Sequence, residues 1–158
     1  MASILFCASP KMAFLIPNEF GYCVLGVGLS WVMNFILVFR VIMARKKYGV
    51  EYPALYAEPS HEHYNEFNSV QRAHQNTLEA WGPLSVLCLV NGLVFPMLSA
   101  IFYGIWVVGR VIYGMGYGSK GPNGRMAGAL ISHVGDFPLI IMTFVSAAQM
   151  ILGKLPAA

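Results

Sequence analysis

Four long apolar runs, separated by polar or glycine-rich stretches, set the hydrophobic pattern of this 158-residue chain. The first, Phe20–Met43, holds one charged residue, Arg40. As a helix it would rise about 36 Å, enough to cross a hydrocarbon layer of about 30 Å with some tilt. The second, Phe67–Phe95, begins polar, with Asn68, Gln71, Arg72, His74, Gln75, Asn76 and Glu79, and turns apolar after Pro83. The third, Met97–Gly118, carries Arg110, and the fourth, Gly128–Gly153, carries His133 and Asp136. In lipid each backbone polar group must be paired within its own segment, so all four runs are expected to be helices, kinked at Pro83 and Pro138. Phe95-Pro96 leaves almost no loop between the second and third, which predicts a tight antiparallel hairpin. The expected fold class is all-α, an integral membrane four-helix bundle. Its single domain covers residues 19–153, with helices at about 20–43, 67–95, 97–118 and 128–153. Residues 1–18 and 154–158 are tails. Within the first tail, Ile4–Ala8 and Met12–Ile16 are split by Pro10 and Lys11, and neither reaches the ~7–15 residues of a signal-peptide core.

Composition agrees with lipid as the solvent. The chain is 57% hydrophobic and 11% charged, where a soluble domain is about 45–50% apolar and about 25% charged. So small a chain cannot hide that much apolar surface in a core of its own. A net charge of +3 without a block of five like charges excludes a nucleic-acid partner. Cys7, Cys23 and Cys88 form an odd set without a CxxC pair and read as small membrane-buried side chains. His61, Glu62, His63 and Glu66 are loosely spaced on a loop without cysteines, which predicts a solvated loop and no metal. Arg45, Lys46, Lys47, Lys120 and Arg125 fall on the side of the first and third loops, against Lys11 and Lys154 opposite. The positive-inside rule places those loops in the cytosol and both termini across the membrane. No internal repeat is evident, which argues against an inverted-repeat transporter.

The polar exceptions converge. Arg72, Asn76 and Glu79 stand at i, i+4 and i+7, so they line one stripe of a helix. Tyr113 and Tyr117 are i, i+4 on the third segment, Arg45 and Lys46 close the first, and Arg125 opens the fourth. Taken singly, Arg45, Lys46 and Tyr117 also suit an interfacial anchoring role. The Arg72–Asn76–Glu79 stripe does not, because a carboxylate and an amide deeper than their flanking arginine call for a polar cavity. Several cations, one carboxylate, an amide and phenols suit a small ligand with more carboxylates than amines. A nearby guanidinium would also hold a thiol as its reactive thiolate. Glutathione is compatible with this inventory without being selected by it.

Three stretches carry a family resemblance: Ala44-Arg45-Lys46-Lys47-Tyr48-Gly49-Val50-Glu51-Tyr52-Pro53; Phe67-Asn68-x-x-Gln71-Arg72-Ala73-His74-Gln75-Asn76-Thr77-Leu78-Glu79; and Gly109-Arg110-Val111-x-Tyr113-x-x-Gly116-Tyr117. The chain resembles the MAPEG family over roughly Phe20 to Leu152, and within it is similar to the type 3 microsomal glutathione S-transferases. The resemblance implies a homotrimer of four-helix subunits in endoplasmic-reticulum-type membranes, with glutathione as co-substrate bound near the cytosolic face between neighbouring subunits. By position it implies Arg45, Lys46, Arg72, His74, Asn76, Glu79, Tyr113 and Tyr117 as glutathione contacts. Arg125 would stabilise the thiolate beside Tyr117, as in leukotriene C4 synthase. Two departures stand out: the tyrosine that follows the glutamate in that synthase is Ala80 here, and the loop before Arg125 is one residue longer. The activity implied is that of a membrane glutathione transferase and peroxidase, acting on lipophilic electrophiles and lipid hydroperoxides. The alternatives are a non-catalytic protein that presents a fatty acid, like the lipoxygenase-activating member of the superfamily, and a channel or transporter subunit. Arg110 and Asp136 lie at equal depth and are expected to pair, within or between subunits.

Overall fold

The computed structural model describes residues 16–154, so Cys7, Lys11 and most of both tails lie outside the described residues. Four helices follow one another: α1 (Phe20–Tyr48), α2 (Tyr64–Gly92), α3 (Pro96–Lys120) and α4 (Met126–Ile151). A short 3-10 turn, Gly121–Arg125, joins α3 to α4. Pro83 and Pro138 both lie inside continuous helices.

The helix ends differ from those read off the apolar runs. α1 continues five residues past Met43 through Ala44-Arg45-Lys46-Lys47-Tyr48, because these are good helix formers whose side chains no longer need lipid. Basic residues in its last turn also suit the negative end of the helix dipole. Gly49 stops it in the left-handed conformation (φ 68°), its amide bonding back to the Arg45 carbonyl at 2.9 Å. α2 ends three residues earlier than Phe95, at Gly92. The Asn91 carbonyl takes the amides of Val94 (3.0 Å) and Phe95 (2.7 Å), and Pro96 opens α3 at a position that needs no amide donor.

The bundle is apolar outside and carries polar groups inside. On α1 Trp31, Phe35 and Phe39 are exposed, and on α4 so are Leu130, Phe137, Ile141 and Phe144. Ser30, Thr77, Asn91, Ser99, Ser132 and Ser146 are buried. α1 and the Pro96–Ile151 stretch are long and apolar enough to cross a membrane. With lipid outside, polar groups turn inward and find partners. Asn91 donates to the Leu139 carbonyl (2.8 Å) and Thr143 Oγ1 (3.1 Å) and accepts from Ser146 Oγ (3.1 Å), clasping α2 to α4. Cys23 and Cys88 are fully buried at the same end, and each thiol faces a backbone carbonyl, of Pro96 and Ser99 respectively.

α3 and α4 approach most closely, and glycine makes that possible. A Cβ on Gly109 would sit 2.6 Å from the Ser132 amide nitrogen, and one on Gly135 would sit 2.7 Å from the Trp106 nitrogen. At Gly128 and Gly116 the facing backbone, at Tyr113 and Gly124, leaves no room at all. This seam fixes how α3 presents its tyrosines beside α4.

Candidate functional site

The Arg72–Asn76–Glu79 stripe is a stripe of contacts. Arg72 Nη1 donates to Glu79 Oε1 at 2.7 Å across two turns of α2, and Asn76 Nδ2 donates to Glu79 Oε2 at 3.3 Å. The Arg72 and Glu79 side chains are 45% and 46% exposed, so this ion pair sits where an incoming ligand can reach both charges.

Behind it stands a residue whose contacts the sequence did not reveal. Arg110 is buried on α3, its guanidinium donating to Asn76 Oδ1 (2.7 Å) and to Thr77 Oγ1 from both Nε (3.0 Å) and Nη2 (2.9 Å). The expected Arg110–Asp136 pair is not made within the subunit. Within the subunit Arg110 is held by α2, while Asp136 takes His133 Nδ1 at 3.1 Å. Equal depth in the membrane did not decide the partner; the angular position of Arg110 on α3, facing α2, did. The Thr77 hydroxyl in turn bonds the Ala73 carbonyl (2.9 Å), so the anchor for Arg110 is rigid. Asn76 is thereby oriented: its oxygen accepts from Arg110 while its amide faces Glu79.

The belt continues around the groove between α2 and α4. The Arg110 guanidinium lies 4.1 Å from the Tyr113 ring centroid. Tyr113 meets Tyr117 edge to face at 5.6 Å, and Arg125 stands 5.4 Å over the Tyr117 ring. Ala73 and Ala129 complete the packing around the two tyrosines. Arg125, in the last turn before α4, is exposed.

A cavity of about 450 Å³ opens beside this belt at the end of the bundle that carries the first loop, lined by Tyr56, Asn65, Asn68, Arg72, Tyr117 and Pro122 among others. Asn68 pins the loop over it, accepting from the Ala57 amide (2.8 Å) and donating to the Ala57 carbonyl (3.0 Å). Tyr56 is thus held at the rim. It is a site residue that the helix-based reading missed, because a loop tyrosine has no periodic signal.

Three expected site residues lie elsewhere in the subunit. The Arg45 guanidinium is buried against Val50 O (3.3 Å) and the Tyr52 and Phe67 rings, with its Nε lacking a partner. Lys46 is exposed on the last turn of α1. His74 faces α1, where its Nε2 meets Asn34 Oδ1 at 3.1 Å. One subunit therefore does not bring these three to the Arg72–Glu79 groove.

The fold and this groove define a helical membrane protein with a phenol-lined recess at one end that carries Arg72 and Tyr117. The MAPEG family profile matches residues 23–145, and the chain belongs to that family. It is also 30% identical over 119 residues to an uncharacterized protein of Synechocystis sp. (strain ATCC 27184 / PCC 6803 / Kazusa), covering 75% of this chain and 82% of that protein.

Proposed function

We propose that this chain is a membrane glutathione S-transferase with glutathione peroxidase activity, similar to the type 3 microsomal enzymes of its family. The observation that carries the reading is the unbroken belt Arg72–Glu79–Asn76–Arg110–Tyr113–Tyr117–Arg125, exposed at both ends and fixed in the middle. Its chemistry matches glutathione group by group. Arg72 offers a forked donor to a carboxylate, and Glu79, freed from Arg72 by that carboxylate, takes the ammonium. Arg125 and Tyr117 hold the thiol as thiolate, the form that attacks. In a homotrimer the exposed Lys46 reaches the ligand from a neighbouring copy, while Arg45 and His74, held by Val50 and Asn34 within their own subunit, would have to exchange those contacts to do so. The cationic end of the bundle faces the cytosol of an endoplasmic-reticulum-type membrane, where glutathione is supplied. The electrophile, whether an epoxide-like lipid, an aromatic halide or a lipid hydroperoxide, comes from the bilayer along the apolar helix faces. Catalysis then rests on a lowered thiol pKa and on holding thiolate and electrophile together at the membrane surface.

The test is turnover by purified protein in detergent, with glutathione and either a chloronitrobenzene or a fatty-acid hydroperoxide, alongside calorimetry of glutathione binding. Conjugation with measurable binding supports the reading. Absence of a binding heat contradicts it and favours the non-catalytic, fatty-acid-presenting alternative.

A further inference from the structure

His133 and Asp136 have no part in the belt described above, yet they place an ionisable pair about 10–15 Å along α4 from its start. Such residues inside a membrane segment are costly and mark function unless they are paired away. Asp136 is largely covered, with 16% of its side chain exposed, and both of its oxygens lie within 3.2 Å of His133 Nδ1. The His133 ring stacks on Phe137 at 4.9 Å and 18°, which fixes its plane, while 53% of the side chain stays exposed. With Nδ1–H committed to the carboxylate, a neutral imidazole presents Nε2 outward as an acceptor.

The flank of α4 that holds this dyad is the one that borders the belt. On a helix of about 3.6 residues per turn, Ala129, His133 and Asp136 fall on one side of α4. Ala129 packs against Tyr113 and Tyr117, and Asp136 lies within electrostatic reach of Arg110. From Arg125 to His133 the chain rises by about 12 Å, a span that the two extended side chains, a thiolate and a hydroperoxide between them can bridge.

We propose that His133 is a catalytic acid–base group for lipid hydroperoxides, with Asp136 as the positioning residue that sets its tautomer; this rests on the glutathione reading above. Nε2 accepts the terminal O–H of the hydroperoxide. The glutathione thiolate attacks that terminal oxygen, forming an S–O bond as the O–O bond breaks. His133 takes the terminal proton and passes it to the departing alkoxide oxygen, which leaves as the lipid alcohol. The sulfenate takes a proton from water and condenses with a second glutathione thiol to give the disulfide and water. Sulfur is oxidised by two electrons and the peroxide is reduced by two. An aromatic halide, whose leaving group needs no proton, makes no use of the dyad.

The experiment compares the full-length protein with His133→Phe and Asp136→Asn, each with glutathione and either a fatty-acid hydroperoxide or a chloronitrobenzene. Loss of a general acid–base group predicts a fall of about 10²-fold in hydroperoxide kcat for His133→Phe, with halide conjugation unchanged within about twofold. Asp136→Asn offers Nδ1 an amide donor and pushes the proton onto Nε2. It should therefore lower hydroperoxide kcat while halide turnover again holds. Hydroperoxide turnover that survives His133→Phe overturns the proposal, as does a parallel fall of both activities, which would mark a structural role. A wild-type protein that conjugates the halide but leaves the hydroperoxide untouched overturns the dyad alone. Failure with both electrophiles and no glutathione binding overturns the transferase reading itself.

Discussion

Arg110 gives up nearly all of its hydration, and its guanidinium meets Asn76 and Thr77 of α2 and the Tyr113 ring of α3 directly, none of them charged. A buried cation with polar but uncharged direct partners stays because it does something there: it turns Asn76 so that the amide faces Glu79. Arg110→Met would leave Asn76 Oδ1 and Thr77 Oγ1 without their donor, at a cost of about 1–3 kcal/mol. The expected outcome is a lower melting temperature in detergent together with weaker glutathione binding. Glu79→Gln separates charge from shape in the same place. It removes the carboxylate that pairs with Arg72 and, in the proposed complex, with the ligand ammonium. A charge-assisted bond of about 1.5–3 kcal/mol predicts a glutathione Kd roughly ten- to a hundredfold higher by calorimetry, with folding retained. At this scale spacing carried real information, since i, i+4, i+7 is a geometric statement about one helix. Arg110's partner was not legible, because depth along a helix says nothing of the angle at which it faces its neighbours.

Among the elements, the α3–α4 seam decides where the tyrosines stand. The glycines on both sides of it bring backbone against backbone, so added volume has nowhere to go. Gly128→Ala drives a methyl into the Tyr113 backbone, and overpacking of this kind costs about 1–3 kcal/mol. Gly28, on α1, has nothing within 4 Å of an added Cβ, so Gly28→Ala should be neutral or stabilising by up to about 1 kcal/mol. In the same detergent the melting temperature should fall for Gly128→Ala and hold or rise for Gly28→Ala. The four helices were visible as apolar runs, but their ends were displaced by several residues. Hydrophobicity reports where lipid stops, whereas the helix backbone stops where a glycine, a proline or a capping carbonyl stops it, as at Gly49 and Asn91.

For the whole molecule, the organising fact is where polarity sits: large apolar side chains face outward, small polar ones lie inside beside an apolar core of Met33, Leu37, Tyr103, Trp106 and Leu139, and a charged recess stands at one end. Composition alone made the membrane legible. The division of the site residues into two groups was not, because a linear motif such as Arg72-x-His74-x-Asn76 puts its members on opposite faces of the helix. Arg72 and Asn76 open into the groove, and His74 turns to Asn34 on α1. In the proposed homotrimer the two faces would meet at one site shared between copies. The central claim is that Arg125 and Tyr117 hold that thiol ionised. The most direct measurement is the ultraviolet absorbance of thiolate as glutathione is titrated into purified protein at neutral pH, for wild type and Arg125→Ala. The expected result is a saturable thiolate signal in the wild type that Arg125→Ala abolishes while still binding glutathione. An undiminished signal in Arg125→Ala, or none in the wild type, would contradict it.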